Sequence, residues 1–235
     1  MRDLHGYKVI GKTEVRILIF GLKRIMKTIN RLPLSYKDRL QEILDTSWRV
    51  LKSRFIDGRH VISKEAPFQH YFAHIITTIG DDYCTHRDDI FLVDLETKCG
   101  NFKGRTEYLD ISCHFPRKKE SCAIELKFKT AKQGAQDYGR IDAYVDVEAL
   151  EHAKMNHDYN FGKFYMITDS PTYVNKSKKG VGTIFCMRDN AHTSANGPFH
   201  YSQCKGREDV KVTLSGNYIF EWEKIGGWYF LELTI

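Results

Sequence analysis

Three residues of this chain have the types and spacing to hold a divalent cation beside a phosphate ester. In CAIELKFK (122–129), strand alternation puts Glu125, Lys127 and Lys129 on one face and Ile124, Leu126 and Phe128 on the other. In TEYLDISCHF (106–115), Tyr108, Asp110 and Ser112 share a face opposite Leu109, Ile111 and Cys113. A hairpin turn centred between Arg117 and Lys118 sets Asp110 directly opposite Glu125. Opposed residues on paired strands have Cβ atoms about 4.5–5.5 Å apart. Two carboxylates at that distance repel each other, and a cation between them removes the conflict. Mg²⁺ suits such a site, because one or two carboxylates plus water and phosphate oxygens are its usual ligands. Lys127, on the same face, then orients or deprotonates an attacking water, or stabilises charge on the phosphorus centre. The other reading of the hairpin is a surface ribbon with solvated charges. Against it, Leu109, Ile111, Ile124, Leu126 and Phe128 all need cover.

The surrounding sequence supplies elements that can position such a site. SYKDRLQEILDTSWRVLKSRF (35–55) carries Leu40, Ile43, Leu44, Trp48 and Leu51 at the helical period. EAPFQHYFAHIITTIG (65–80) is a second helix, with Phe68, Phe72, Ile75, Ile76 and Ile79 inward, Pro67 in its first turn and Gly80 as C-cap. The period then changes to that of strands at IFLVDLE (90–96), 106–115 and 122–129. A third helix is expected from about Ile141 to His157, then a buried strand FYMIT (164–168) and a further strand TIFCM (183–187). KVTLSG, NYIFEWEKIGG and WYFLELTI read as a closing antiparallel meander, with Trp222, Trp228, Tyr229 and Phe230 packing it. Short connections make the first three strands antiparallel, and the strand that returns after a helix runs parallel to its neighbour. The expected fold class is α/β, a central mixed β-sheet flanked by helices plus that C-terminal meander. A single domain is expected over 1–235, with a largely helical extension (1–60), a core (61–170) and a β-rich part (171–235).

A formal net charge of +6 is compatible with a polyanionic partner and equally with plain solubility. The six cysteines form no C-x-x-C pair, which argues against a zinc site and for free thiols in a reducing cytoplasm. The patch Val15–Leu22 is interrupted by Arg16 and reads as neither a signal peptide nor a membrane span. Residues 14–29 could form a short amphipathic helix, or a strand and basic turn, with Lys23, Arg24, Lys27 and Arg31 clustered there.

The order of a helix with Glu65, a strand with Asp110, a strand with Glu125-Leu126-Lys127, then a helix and a strand, resembles the PD-(D/E)XK nuclease superfamily over about residues 65 to 168. Leu109 stands where that motif has its proline. More narrowly, EYLDI, IELKFKT, QGAQDYGRIDAYVDVEALE, FYMITDSPTY and LSGNYIFEWEKI resemble a family of uncharacterised bacterial proteins with such a core. The resemblance implies a restriction-endonuclease-like fold and a Mg²⁺-dependent DNA endonuclease, Mn²⁺ substituting, linked to restriction or phage defence. Asp110, Glu125 and the Leu126 carbonyl would be metal ligands, and Lys127 would serve the water or transition state. Cleavage would leave 5′-phosphate and 3′-hydroxyl ends. Superfamily members often complete the site with a helix glutamate, for which Glu65 is the candidate and Gln69 the alternative. Glu65 could equally be a helix N-terminal acid stabilised by the dipole. A homodimer that cuts two strands is implied in the same way.

Lys129, Gln136 and Arg140, in the basic and amide-rich stretch after the catalytic strand, are candidates for contact with the nucleic acid backbone. An Arg140–Asp142 ion pair is the structural alternative. His70 and His74 have i, i+4 spacing but no third ligand, and read as ordinary helix residues. Lys176, Lys178, Lys179, Lys205 and Arg207 are loop charges. Two rival functions stand beside the nuclease: a catalytically inactive nucleic-acid-binding module with the same fold, and a structural protein with an exposed charged hairpin.

Overall fold

The stripe of Leu40, Ile43, Leu44, Trp48 and Leu51 folds as helix α1 (Tyr36–Ile56), with all five side chains buried. The structure, a computed structural model, describes residues 32–235 apart from 157, 158, 194 and 196. The segment 14–29, its basic cluster and Arg31 lie outside the described residues. Helix α2 (Glu65–Asp82) buries Phe68, Phe72, Ile75 and Ile76. Gly80 does not cap it. A Cβ at Gly80 would stand 2.1 Å from the Phe91 ring, so this glycine lets the ring close against the helix, which runs on to Asp82.

The sheet is built from β1 (Leu92–Phe102), β2 (Arg105–Phe115), β3 (Glu120–Lys129), β4 (Phe161–Thr168), β5 (Trp222–Ile225) and β6 (Trp228–Thr234), with helix α3 (Gln136–Met155) between β3 and β4. Its spatial order is β1-β2-β3-β4-β6-β5. β1, β2 and β3 are antiparallel, and β4 runs parallel to β3, as the connection lengths predict. The architecture is thus mixed α/β, with a mixed central sheet, flanking helices and antiparallel strands near the C-terminus.

Several boundaries differ from expectation. β1 starts at Leu92 and extends well past residue 96. α3 starts at Gln136, not at Ile141. TIFCM is not a strand. Val181–Ile184 make one helical turn, after which Phe185 and Met187 enter the core as fully buried plugs. Of the expected meander, WYFLELTI joins the central sheet as β6, antiparallel to β4, and β5 pairs outside it. KVTLSG gives only the two-residue pairing of Lys211–Val212 with Phe199–His200.

Every residue of β4 is buried, and its alternation shows what covers each face. Phe164 and Met166 pack into the cluster that includes Ile141, Tyr144 and Val147 of α3. Tyr165 points the other way, with its ring 4.8 Å from Trp48 of α1 and 4.9 Å from Phe72 of α2. Fully burying side chains of this size contributes about 1.5–3 kcal/mol each. Trp48 also contacts Phe68 and Phe230, so α1 is built into the core and is not an appendage to it. Tyr36–Ile235 form one compact unit. Trp228 lies against Phe55 and Phe128, which accounts for its packing role. Among the described residues no helix is long and apolar enough to cross a membrane.

Candidate active site

β2 and β3 pair in the predicted register, from Phe115 opposite Glu120 to Ile111 opposite Ile124. The ladder ends one pair short of Asp110 and Glu125. There Asp110 turns its carboxylate inward, and Oδ2 accepts the Leu126 amide N–H at 2.7 Å. A side chain thus takes a donor on the adjoining strand just where the ladder stops. Gln69 of α2 fixes the same point from outside. Its Nε2 donates to the Asp110 carbonyl at 2.7 Å and to Glu96 Oε1 at 2.8 Å. Gln69 therefore holds the backbone of the site and does not extend into it as a ligand.

Glu125 and Lys127 share the α3 face of the sheet, as alternation requires. Glu125 is 8% exposed, and its carboxyl shares a hydrogen bond with that of Asp110. Burial, then the nearby charges of Asp146 and Asp110, push Glu125 well above the usual carboxylate range. Burial also raises Asp110, though the Leu126 N–H and the Lys127 charge oppose the rise. Both carboxyls are thus raised, Glu125 further than Asp110. Burial alone would lower Lys127, but the carboxylates of Asp146, Glu125 and Glu65 overcome it and hold the amine charged above its usual range.

Asp146 is the member that motif reasoning passed over. It lies on the inner side of α3, and its Oδ2 is 2.5 Å from Lys127 Nζ. Burial raises its carboxyl to about 6 in spite of that ammonium. One sequence signal could have drawn attention to it. Asp142 and Asp146 are like charges at i, i+4, an unfavourable pair on a helix unless each has its own cation. Asp142 pairs with Arg207 at 3.0 Å, and Asp146 with Lys127.

The remaining candidates fall in different places. Glu65 opens α2 and lies at the rim, its Oε1 3.1 Å from Lys129 Nζ and 3.4 Å from the Phe128 amide. It lies near enough to perturb both Asp110 and Lys127 electrostatically. Lys129 is only partly exposed and is shared with Glu65. The Leu126 carbonyl lies beside the Lys127 ammonium, 3.5 Å from Nζ. Gln136 begins α3, ten residues before Asp146, or about 15 Å along the helix axis. The structure therefore does not bring it to the carboxylates. Arg140 corrects the sequence reading outright. It is 1% exposed, its guanidinium lies over the Tyr173 ring, and it donates to the carbonyls of Thr172 and Phe185. A side chain so buried and so committed is unavailable to a phosphate backbone, and Arg207, not Arg140, pairs with Asp142.

Among the described residues no group of three or more His, Cys, Asp and Glu side chains forms a ready-made metal cluster. The donor set is narrower: two touching carboxyls, with Glu65 at the rim and Asp146 engaged by lysine. Two carboxyls completed by water and phosphate oxygens fit Mg²⁺, which dehydrates reluctantly, better than Zn²⁺, which takes three or four nitrogen and sulfur ligands from the protein. Comparison of the chain with protein-family models, with curated proteins and with solved structures finds no match.

Proposed function

We propose that the chain is a Mg²⁺-dependent phosphodiesterase of the PD-(D/E)XK kind acting on DNA. The observation that carries this reading is the end of the β2–β3 ladder at Asp110, which sets its carboxyl against Glu125 beside a charged Lys127. Two carboxyls packed this closely, Glu125 buried and Asp110 partly buried, form a site that a divalent cation can take over, displacing any proton held there. Asp110 and Glu125 would hold the ion, with the Leu126 carbonyl next to them. When bound, Mg²⁺ supplies Lewis acidity and a more acidic water.

The chain's own residues have separable tasks. Asp110, anchored by the Leu126 amide and braced by Gln69, keeps its carboxylate aimed into the gap between the strands. Lys127 works as an ammonium and not as a base, because the surrounding acids hold its proton. It stabilises negative charge that develops on the phosphate oxygens in an in-line attack. Asp146 positions that ammonium. The net charge of +6 is compatible with a polyanionic substrate. A role in restriction or phage defence and a homodimer that cuts both strands rest on the resemblance alone, and a cytoplasmic location rests on the free thiols.

Cleavage of plasmid and linear DNA tests the reading. Wild type should cut with Mg²⁺ or Mn²⁺ and stop in EDTA. Asp110→Ala and Lys127→Ala should each abolish cutting with an unchanged circular dichroism spectrum. Persistent cleavage in both variants would refute the assignment. A second reading, a DNA-binding module without catalysis, is favoured by one observation. Glu65 is paired with Lys129 and Lys127 with Asp146, so only Asp110 and Glu125 are left to hold a metal. Salt-dependent DNA binding without cleavage by the wild type would select it.

A further inference from the structure

We infer that the loop 175–182, which displays Lys176, Lys178 and Lys179, is a binding surface for the phosphate backbone of duplex DNA beside the carboxylate site. The inference rests on the reading of the chain as a protein that acts on DNA. All three lysines are exposed, and among the described residues none of them has an ion-pair or hydrogen-bond partner. The loop follows β4, whose last residue, Thr168, pairs with Lys129, two residues beyond Lys127. At its root Asp169 accepts the Ala131 N–H at 2.6 Å, which ties it to the turn Ala131–Gln133 and its exposed Lys132. Tyr173, Val181 and Phe185, around the loop, belong to the cluster that holds Ile141 and Tyr144 of α3. The loop therefore lies on the α3 face of the sheet, with Glu125 and Lys127. Lys129 is about 7 Å along β3 from Lys127, and Arg140, which holds the loop, is about 9 Å along α3 from Asp146. The base of the loop is thus about 10 Å from the carboxylates, or about three phosphates along one strand.

The loop is held in shape from beneath. The buried Arg140 guanidinium donates to the Thr172 carbonyl before the loop and to the Phe185 carbonyl after it, and so clamps its two ends. Among the described residues no carboxylate pairs with Arg140, and a buried charge without a counter-charge is costly. Between the lysines, a Cβ at Gly182 would stand 2.1 Å from Ser177 Oγ, so the chain folds back closely on itself there. Thr183 donates both its N–H and its hydroxyl to the Gly180 carbonyl and closes the turn. A charged arginine is thus spent on fixing three like charges side by side, where they repel one another. A row of phosphates relieves that repulsion, and a loop already in shape loses little entropy on meeting it. Three acids border the surface. Asp169 accepts the Ala131 N–H and Asp189 the Trp222 N–H, and Asp137 stands in the first turn of α3, where the helix dipole favours a negative charge. None of the three pairs with a lysine of the loop, and residues 170–188 contain no Asp or Glu at all.

Fluorescence anisotropy of a labelled DNA duplex with the full chain, in EDTA and over a range of salt concentrations, tests this without the metal. The loop variant combines Lys176→Gln, Lys178→Gln and Lys179→Gln. A control variant combines Lys37→Gln, Arg87→Gln and Lys119→Gln, three exposed bases at the opposite end of the sheet, where Tyr36 bonds Asp89 and packs on Phe115. It removes the same charge. Each lysine–phosphate contact contributes about 0.9 to the slope of log K against log salt, so the loop variant should lower that slope by about two to three. At about 0.1 M salt it should bind at least about tenfold more weakly than wild type, while the control stays within about twofold. In Mg²⁺ the loop variant should raise KM for duplex cleavage about tenfold with kcat within about twofold, because the loop binds and does not touch the reacting atoms. An unchanged slope and affinity in the loop variant overturns the inference. So does an equal loss in both variants, which marks net charge alone, or a wild type that binds duplex DNA without salt dependence or not at all. The two readings fail separately. A wild type that never cuts, but whose binding the loop variant weakens, refutes the nuclease and leaves the loop standing. A wild type that cuts, with a loop variant that binds and cuts as well, does the reverse.

Discussion

Replacing Asp146 by asparagine should stabilise the metal-free protein at pH 8. Breaking a buried ion pair by removing one partner ordinarily costs about 3–5 kcal/mol. Here the opposite sign is expected, because burial penalises the Asp146 charge by more than Lys127 supports it. Burial first, and then the charges of Asp110 and Asp142, keep Asp146 raised to about 6 even with Lys127 Nζ 2.5 Å away. An acid whose pKa is higher in the folded than in the unfolded state favours folding while protonated. That contribution is fully present below the unfolded value of 3.8 and is lost as pH rises through about 6. The interval corresponds to about 3 kcal/mol. Asparagine imitates the protonated acid and keeps an oxygen for Lys127, whose charge still has Glu125 and Glu65 close by. Urea unfolding followed by tryptophan fluorescence, in EDTA, should find Asp146→Asn more stable than wild type at pH 8 by up to about 3 kcal/mol. The gap should close as pH falls toward 4, and Mg²⁺ should narrow it at pH 8 by neutralising the other two acids. If the variant is instead less stable at pH 8 by 1 kcal/mol or more, the pairing outweighs the repulsion and the reasoning fails.

Arg140→Ala should cost roughly 2–5 kcal/mol, because it orphans the carbonyls of Thr172 and Phe185 in a buried setting, and thermal unfolding would show it. Lys129→Ala, at a partly exposed pair, should cost under about 1 kcal/mol by the same measurement. Gly139→Ala would bring a Cβ to 2.2 Å from Tyr173 Oη and should lose about 1–3 kcal/mol. Tyr173→Phe should rescue it, since among the described residues that hydroxyl has no hydrogen-bond partner and the next ring atom is 3.2 Å away. If the double variant is no more stable than Gly139→Ala, the hydroxyl is not the obstacle.

The register of the β2–β3 hairpin was legible because two-residue alternation and a tight polar turn leave one pairing that buries Ile111, Cys113, Ile124 and Leu126 together. The end of the ladder at Asp110 was not, because a side chain that takes a donor on the adjoining strand leaves no periodic trace. Gly139 illustrates a different loss. In QDYGR a glycine reads as loop and delays the expected helix start, whereas it sits inside α3 to admit Tyr173. TIFCM misled for the converse reason. A short apolar run says that a segment is buried but not how, and Phe185 and Met187 are buried from a turn and not from a strand. Arg140 shows the same limit for function. Its charge suggested a surface role, and only tertiary packing reveals that two carbonyls and a ring enclose it. The like-charged i, i+4 pair of Asp142 and Asp146 is visible in the sequence, but only the tertiary structure assigns Arg207 to the first and Lys127 to the second.

A phosphodiesterase of this kind requires that Asp110 and Glu125 together hold a divalent ion. Crystals grown with Mn²⁺ and measured at its absorption edge would decide this. The expected result is one anomalous peak in contact with both carboxylates, lost in Asp110→Asn. An empty gap between them at millimolar Mn²⁺, with the two carboxyls still hydrogen-bonded to each other, would contradict it.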